Sequence, residues 1–169
     1  MNDPSGPRFD IDAHRAALRR IASTVHVVGL RGDRGTFFAT TATAVASVSF
    51  EPPTLLVCLA RSSALGERVA LGMTLSISAL DTAQRDVAQA CAGQRPHAER
   101  ASLFREHGAA PAASVVVGAL ASFVCTVAAI TEWGTHRVVY CEVLLTDCRT
   151  PVEPLLYVDG RYAQVEPLS

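Results

Sequence analysis

The chain has 169 residues, 49% of them hydrophobic and 18% charged, a composition that suits one folded domain with a sizeable core and excludes a disordered segment. Its net charge is -1 and its basic residues are dispersed arginines without a single lysine, so no basic field or stripe exists to hold nucleic acid. No apolar run reaches membrane-span length, because Gly118, Ser122 and Thr126 interrupt the nearest one, and the first residues lack the basic-then-apolar pattern of a secretion signal.

Residues 1–11, rich in proline, glycine and small polar side chains at their start, read as a flexible arm in front of one domain spanning 12–169. Asp12 is expected to cap a helix over 13–23, with Ala17, Leu18 and Ile21 facing the core and Arg15, Arg19 and Arg20 solvated. Residues 24–30 are β-branched and apolar, a strand; 31–35 compose a hairpin turn, and the returning strand starts at Thr36.

The stretch 38–65 carries the most information. Residues 40–49 are only Thr, Ala, Val and Ser, small enough for a flat ligand to lie against the backbone and meet its N–H groups. Pro52 and Pro53 stiffen the turn that follows. Residues 55–59 make a short buried strand, and Arg61, Ser62 and Ser63 place a cation and two hydroxyls where it ends, a seat suited to phosphate. A short helix over 65–70 would add free N–H groups for an anion.

Further on, 74–80 alternates apolar and polar residues as a half-buried strand would. Asp81 caps a helix that runs to about Ala92 with Val87, Ala88 and Cys91 inward, and Gly93 ends it. Residues 94–113 read as a long polar excursion with one helical turn. Residues 114–132 give one or two long strands, 137–145 another, and 154–158 with 161–165 a closing pair. Strands outnumber helices and do not alternate with them, which points to an antiparallel barrel with appended helices, not a doubly wound sheet.

Several chemistries are missing. There is no GxGxxG, no P-loop, no HExxH, no CxxC pair and no GxSxG. The five cysteines are expected to be reduced and mostly buried, which fits a cytoplasmic protein. Trp133-Gly134-Thr135-His136 reads as a turn between strands, with the histidine at a barrel rim.

Taken in order, TATAVASVS with EPP, LLVCLARSSAL, LSISALDTAQRDVAQACAG, GALASFVCTV, GTHRVVYCEV and PLLYVDGRY resemble the short-chain flavin reductases. The likeness is nearest to the reductase components that serve 4-hydroxyphenylacetate 3-monooxygenase. It implies a mainly β, six-stranded split antiparallel barrel, a homodimer, FMN or FAD with NADH or NADPH, and a separate flavin-dependent monooxygenase as partner. By position, it implies that Ala42, Thr43, Ala44, Val45, Ala46, Val48 and Ser49 cradle the flavin ring. Arg61, Ser63, Ala64 and Leu65 would hold its phosphate end, Arg95 its tail, and Gly134, Thr135 and His136 would border the nicotinamide. The implied function is an NAD(P)H:flavin oxidoreductase; the alternative is a flavin-binding barrel without turnover.

Overall fold

The computed structural model describes residues 9–32, 36–94, 96–151 and 153–166. Seven antiparallel strands form one curled sheet in the order β3-β2-β6-β9-β10-β5-β4. These are β2 (His26–Arg31), β3 (Phe37–Ala42), β4 (Val45–Phe50), β5 (Pro53–Ala60), β6 (Thr74–Ala79), β9 (Ala121–Trp133) and β10 (His136–Cys148). The two edges, β3 and β4, are consecutive in the chain and joined only by Thr43 and Ala44. The sheet therefore curls back on itself without closing its last ladder, which is the split of the expected split barrel, counted here with seven strands.

The β-branched and leucine-rich strands are buried on both sides, for two different reasons. Val28, Leu30, Val57, Leu59, Leu75, Ile77, Cys125, Val127, Val139 and Cys141 fill the barrel lumen, and Leu65 and Val69 plug it from the loop after β5. The alternate residues Val25, Val27, Phe37 and Ala39 point outward into a second core with Leu80, Ala88, Cys91, Val116 and Leu155. That outer layer comes from the segment after β6. It runs through a 3-10 turn (Thr82–Gln84), α2 (Arg85–Gln89) and a wide turn (Ala90–Gln94), then α3 (His97–Arg100), β7 (Phe104–His107) and β8 (Ala110–Val116). Asp81 starts it with a reciprocal capping box to Gln84, and Gly93 ends the helical part with φ 107°, as expected. A small sheet of β1 (Ser23–Thr24), β11 (Leu156–Val158) and β12 (Arg161–Ala163) closes the fold.

Four expectations change. The first helix, α1 (Ile11–Arg19), is capped by Asp10, whose carboxylate accepts from the N–H groups of Asp12 and Ala13, so it starts and ends earlier than expected. None of its residues is buried: Leu18, and Ile21 just past its end, lie exposed because α1 sits off the barrel, tied to it where the Asp159 N–H donates to the Arg19 carbonyl. Residues 65–70 form turns, not a helix. Gly66 is pressed against the Ala60 carbonyl where no Cβ fits, and the side chains of Leu65 and Val69 are pinned in the lumen. β6 is buried on both faces rather than half-buried, since β8 lies over it: Ser76 donates to the Ser114 carbonyl, and the Ser78 hydroxyl meets that of Ser122 and accepts from the Val116 N–H. The described part of the long excursion holds the β7–β8 hairpin where a loop was expected.

Candidate functional site

The small-residue run folds into the end of β3, the two-residue link and β4. Alternation sends Ala42 and Val45 toward the lumen, where they pack with the core, and leaves Thr43 and Ala44 exposed at the link. Val25, Thr41, Ala42 and Thr43 form one wall of a cleft of about 230 Å³; Ala92, Tyr157 and Tyr162 form the other. A second cleft of about 200 Å³ adjoins it and shares Thr43 and Tyr157, reaching Leu18, Ile21 and the 158–160 turn. Among the described residues, none lining the first cleft is charged. Small side chains, two threonine hydroxyls and two phenol rings suit a flat, largely uncharged ring, and the joined clefts approach the usual size of a small-molecule site.

The tyrosines are held by the β11–β12 hairpin. Asp159 and Gly160 adopt φ 50° and 77°, the positive values that a tight Asp-Gly turn requires, and that turn sets Tyr157 directly opposite Tyr162. Their rings meet edge-on at 5.4 Å. Burial pushes the Tyr162 phenol pKa up and Tyr157 adds to it, while Arg85, 5.7 Å over the ring, acts the other way. The phenol therefore stays protonated at neutral pH.

The link also leads to the second group of expected residues. The Cys58 N–H donates to the Ala44 carbonyl, so the start of β4 lies beside the end of β5. There Arg61 follows Ala60, and Ala60 pairs with His136 at the start of β10. The Arg61 N–H donates to the Thr135 carbonyl at 3.0 Å, and its guanidinium donates to the Gly134 carbonyl at 3.3 Å. The Thr135 hydroxyl and His136 Nδ1 lie 2.9 Å apart. Gly134 has φ 55°, which glycine tolerates. The fold thus brings Thr43, Ala44, Arg61 and the 134–136 turn to one end of the sheet.

Other expected residues do different work. The Ser63 hydroxyl donates to the Ala60 carbonyl and accepts from the Gly66 N–H, holding the turn. Ala64 sits half-buried in that turn and Leu65 is sunk in the core, which leaves only its backbone to face a ligand. Ala46 is exposed on β4, while Val48 is the extra residue of a bulge and Ser49 accepts from the Glu51 N–H; Val48 lies roughly 13 Å down the strand from Ala44. Arg95 lies outside the described residues. Beyond the small-residue run, the sequence reading passed over Ala92, Tyr157 and Tyr162. The Asp-Gly turn was the signal for the last two, because a two-residue turn at 159–160 fixes 157 opposite 162.

A larger groove, about 580 Å³, opens at the other end of the barrel between Leu30, Arg31, Phe38, Arg68, Met73 and Thr74. It holds none of the expected site residues, and its arginines are engaged: Arg31 with Glu106 and Ser114, Arg68 with the Ala64 carbonyl and the Phe38 ring. We therefore place the site at the smaller clefts. Burial lifts the Cys91 thiol pKa to about 11 and those of Cys125 and Cys141 to about 12, so these thiols are not nucleophiles. Among the described residues no group of three metal-ligating side chains occurs, and no helix is long and apolar enough to cross a membrane.

The comparisons agree with this architecture. A family described as flavin reductase like domain matches residues 18–166. The chain belongs to this family. It is 36% identical over 149 residues to "FMN reductase (NADH) RutF" of Stutzerimonas stutzeri (strain A1501), covering 88% of this chain and 85% of the relative. It is 39% identical over 155 residues to "FMN reductase (NADH) RutF 2" of Methylorubrum extorquens (strain PA1), covering 92% and 89%. Among solved structures, BorF, the flavin reductase component of a bacterial two-component tryptophan halogenase, superposes with a TM-score of 0.82 at 26% identity, covering 94% of this chain and all of that one.

Proposed function

We propose that the protein is an NADH:flavin oxidoreductase that passes reduced FMN or FAD to a separate flavin-dependent monooxygenase. The observation that carries this reading is the cleft between the Thr41–Thr43 edge and the two tyrosines, with the next residue, Ala44, hydrogen-bonded to Cys58 on the strand that leads to Arg61, in a chain of the flavin reductase family. A flavin bound there supplies the chemistry, accepting hydride from a reduced nicotinamide. The chain's own part is placement. Thr41, Thr43 and the backbone from Ala42 to Ala46 border the ring; Arg61, with the backbone of Ser63, Ala64 and Leu65, faces the phosphate; Gly134, Thr135 and His136 border the open side. Val48, Ser49 and Arg95 complete the set as the resemblance assigns it.

The relatives named as NADH-dependent favour NADH over NADPH, and BorF's role as one component of two favours release of reduced flavin to a partner. A homodimer fits the exposed Ile11 and Leu18 of α1, Ile21 just beyond it, and the exposed Phe50 and Trp133 on the barrel. We read the chain as one domain, in the cytoplasm, whose first helix starts at Ile11, one residue before the expected boundary. The test is NADH oxidation in the presence of excess FMN. Turnover well above the buffer rate is expected. Flavin binding without NADH oxidation would leave a carrier instead, and neither binding nor turnover would overturn the reading.

A further inference from the structure

We propose that Glu132 is a resident competitor for Arg61, and that it sets how easily the phosphate end of a flavin is held and let go. The inference rests on the reading above that Arg61 faces that phosphate. Glu132, near the end of β9, lies between two arginines that it holds unequally. Its Oε1 accepts from Nε and Nη2 of Arg137 at 3.1 and 3.0 Å, and Arg137 Nη1 also donates to the Gly66 carbonyl at 2.6 Å. Arg137 is therefore locked, with its side chain 25% exposed. Glu132 Oε2 lies 3.8 Å from Arg61 Nη1, a charge attraction without a hydrogen bond, and the Arg61 side chain is 52% exposed.

This inequality makes Arg61 the exchangeable member. Its backbone is fixed by the bond from its N–H to the Thr135 carbonyl, so only the guanidinium needs to swing toward an incoming phosphate, giving up its long 3.3 Å bond to the Gly134 carbonyl. Glu132 is not stranded when it does, because Arg137 still neutralises it. The three side chains carry one net positive charge, enough to attract a phosphate but partly spent on the resident carboxylate. A flavin that must leave in its reduced form is served by such a grip, whereas a permanently bound cofactor would be served better by an uncontested arginine. Glu132 acts through Arg61 and is a positioning residue.

Equilibrium titrations of FMN, and of riboflavin, which lacks the phosphate, test the proposal in native protein and in Glu132→Gln, Arg137→Gln and Arg61→Ala. Glu132→Gln is expected to tighten FMN by about two- to five-fold and leave riboflavin unchanged, the gain expected from removing one exposed ion pair. The gain should shrink in about 1 M salt. Arg137→Gln, which frees Glu132 for Arg61, should weaken FMN and again spare riboflavin. Unchanged or weaker FMN binding in Glu132→Gln, or equal shifts for both flavins, overturns the proposal, and the Arg137→Gln result decides alone if Glu132→Gln does not fold. Undiminished FMN binding in Arg61→Ala would instead overturn the phosphate reading, and no binding of either flavin by native protein would overturn the function.

Discussion

Two stretches of this chain have nearly the same composition and opposite fates. Residues 74–79 read Thr-Leu-Ser-Ile-Ser-Ala, and residues 40–49 contain only Thr, Ala, Val and Ser. The first became β6, third in the sheet order, with β2 and β9 on its flanks and β8 over its outer face; its two serine hydroxyls, Ser76 and Ser78, are matched inside the protein. The second became the two edges of the same sheet, with exposed small residues at the link between them. Small polar residues in a strand make either a sealed seam or an open berth. Position in the sheet, not residue type, decides which.

The largest expected effect tests that difference directly. Ser78→Val should destabilise by about 2–3 kcal/mol, because it leaves the Val116 N–H and the Ser122 hydroxyl unpaired in the core. The matching change at the edge, Ser47→Val, should stay within about 0.5 kcal/mol, since Ser47 is exposed. Urea denaturation of both variants checks this; equal losses would dissolve the contrast. Next comes Arg61→Ala, which should weaken FMN binding by about 1.5–3 kcal/mol, the range for hydrogen bonds to a charged group, without a comparable loss for riboflavin. His136→Ala should leave flavin affinity intact and slow flavin reduction by NADH by up to about tenfold, or about 1.4 kcal/mol in the barrier. Stopped-flow traces matching native protein would remove His136 from the nicotinamide side.

The smallest effect concerns pH. His26, at the start of β2 beside the Ala42 edge, has its pKa lowered below 6.5 by burial, with hydrogen bonds to the backbone at Thr24 and Ala42 opposing the shift. The unfolded chain then binds a proton more readily than the folded one. Stability should therefore be full above about pH 6.5 and fall as the pH drops from there through the lowered folded value. Thermal unfolding of native protein and His26→Gln between pH 7.5 and 5 should show a steeper loss in the native protein; parallel curves would mean that His26 titrates normally.

The strands were legible because β-branched residues bounded by Gly, Pro and Asp turn formers carry their own signal: 55–59 and 137–145 fall wholly on observed strands, 74–80 does so but for Leu80, and 24–30 splits at Val25 between β1 and β2. The burial of those strands was less legible. Alternation along 74–80 announced one wet face, yet that face is dry because the hairpin of β7 and β8, hidden in a polar stretch, lies across it. Leu18 and Ile21 show the converse: the helix ends at Arg19, before Ile21, and the single chain leaves both side chains exposed. At the site, the sequence picked out the Thr43–Ala44 link, Arg61 and the 134–136 turn, which fold to one end of the sheet. It missed the wall opposite, because Tyr157 and Tyr162 come from the far end of the chain and only the three-dimensional path of β11 and β12 brings them to Thr43.

On the proposed reading, the modest cleft at the open edge, and not the larger groove at the other end of the barrel, receives the flavin. The most direct measurement is an FMN titration of Thr43→Trp, which fills the cleft, beside Met73→Trp, which fills the groove. Thr43→Trp is expected to lose at least about tenfold in affinity, or about 1.4 kcal/mol, with a native urea midpoint, while Met73→Trp binds as native protein does. FMN binding that survives in Thr43→Trp and fails in Met73→Trp would contradict the account.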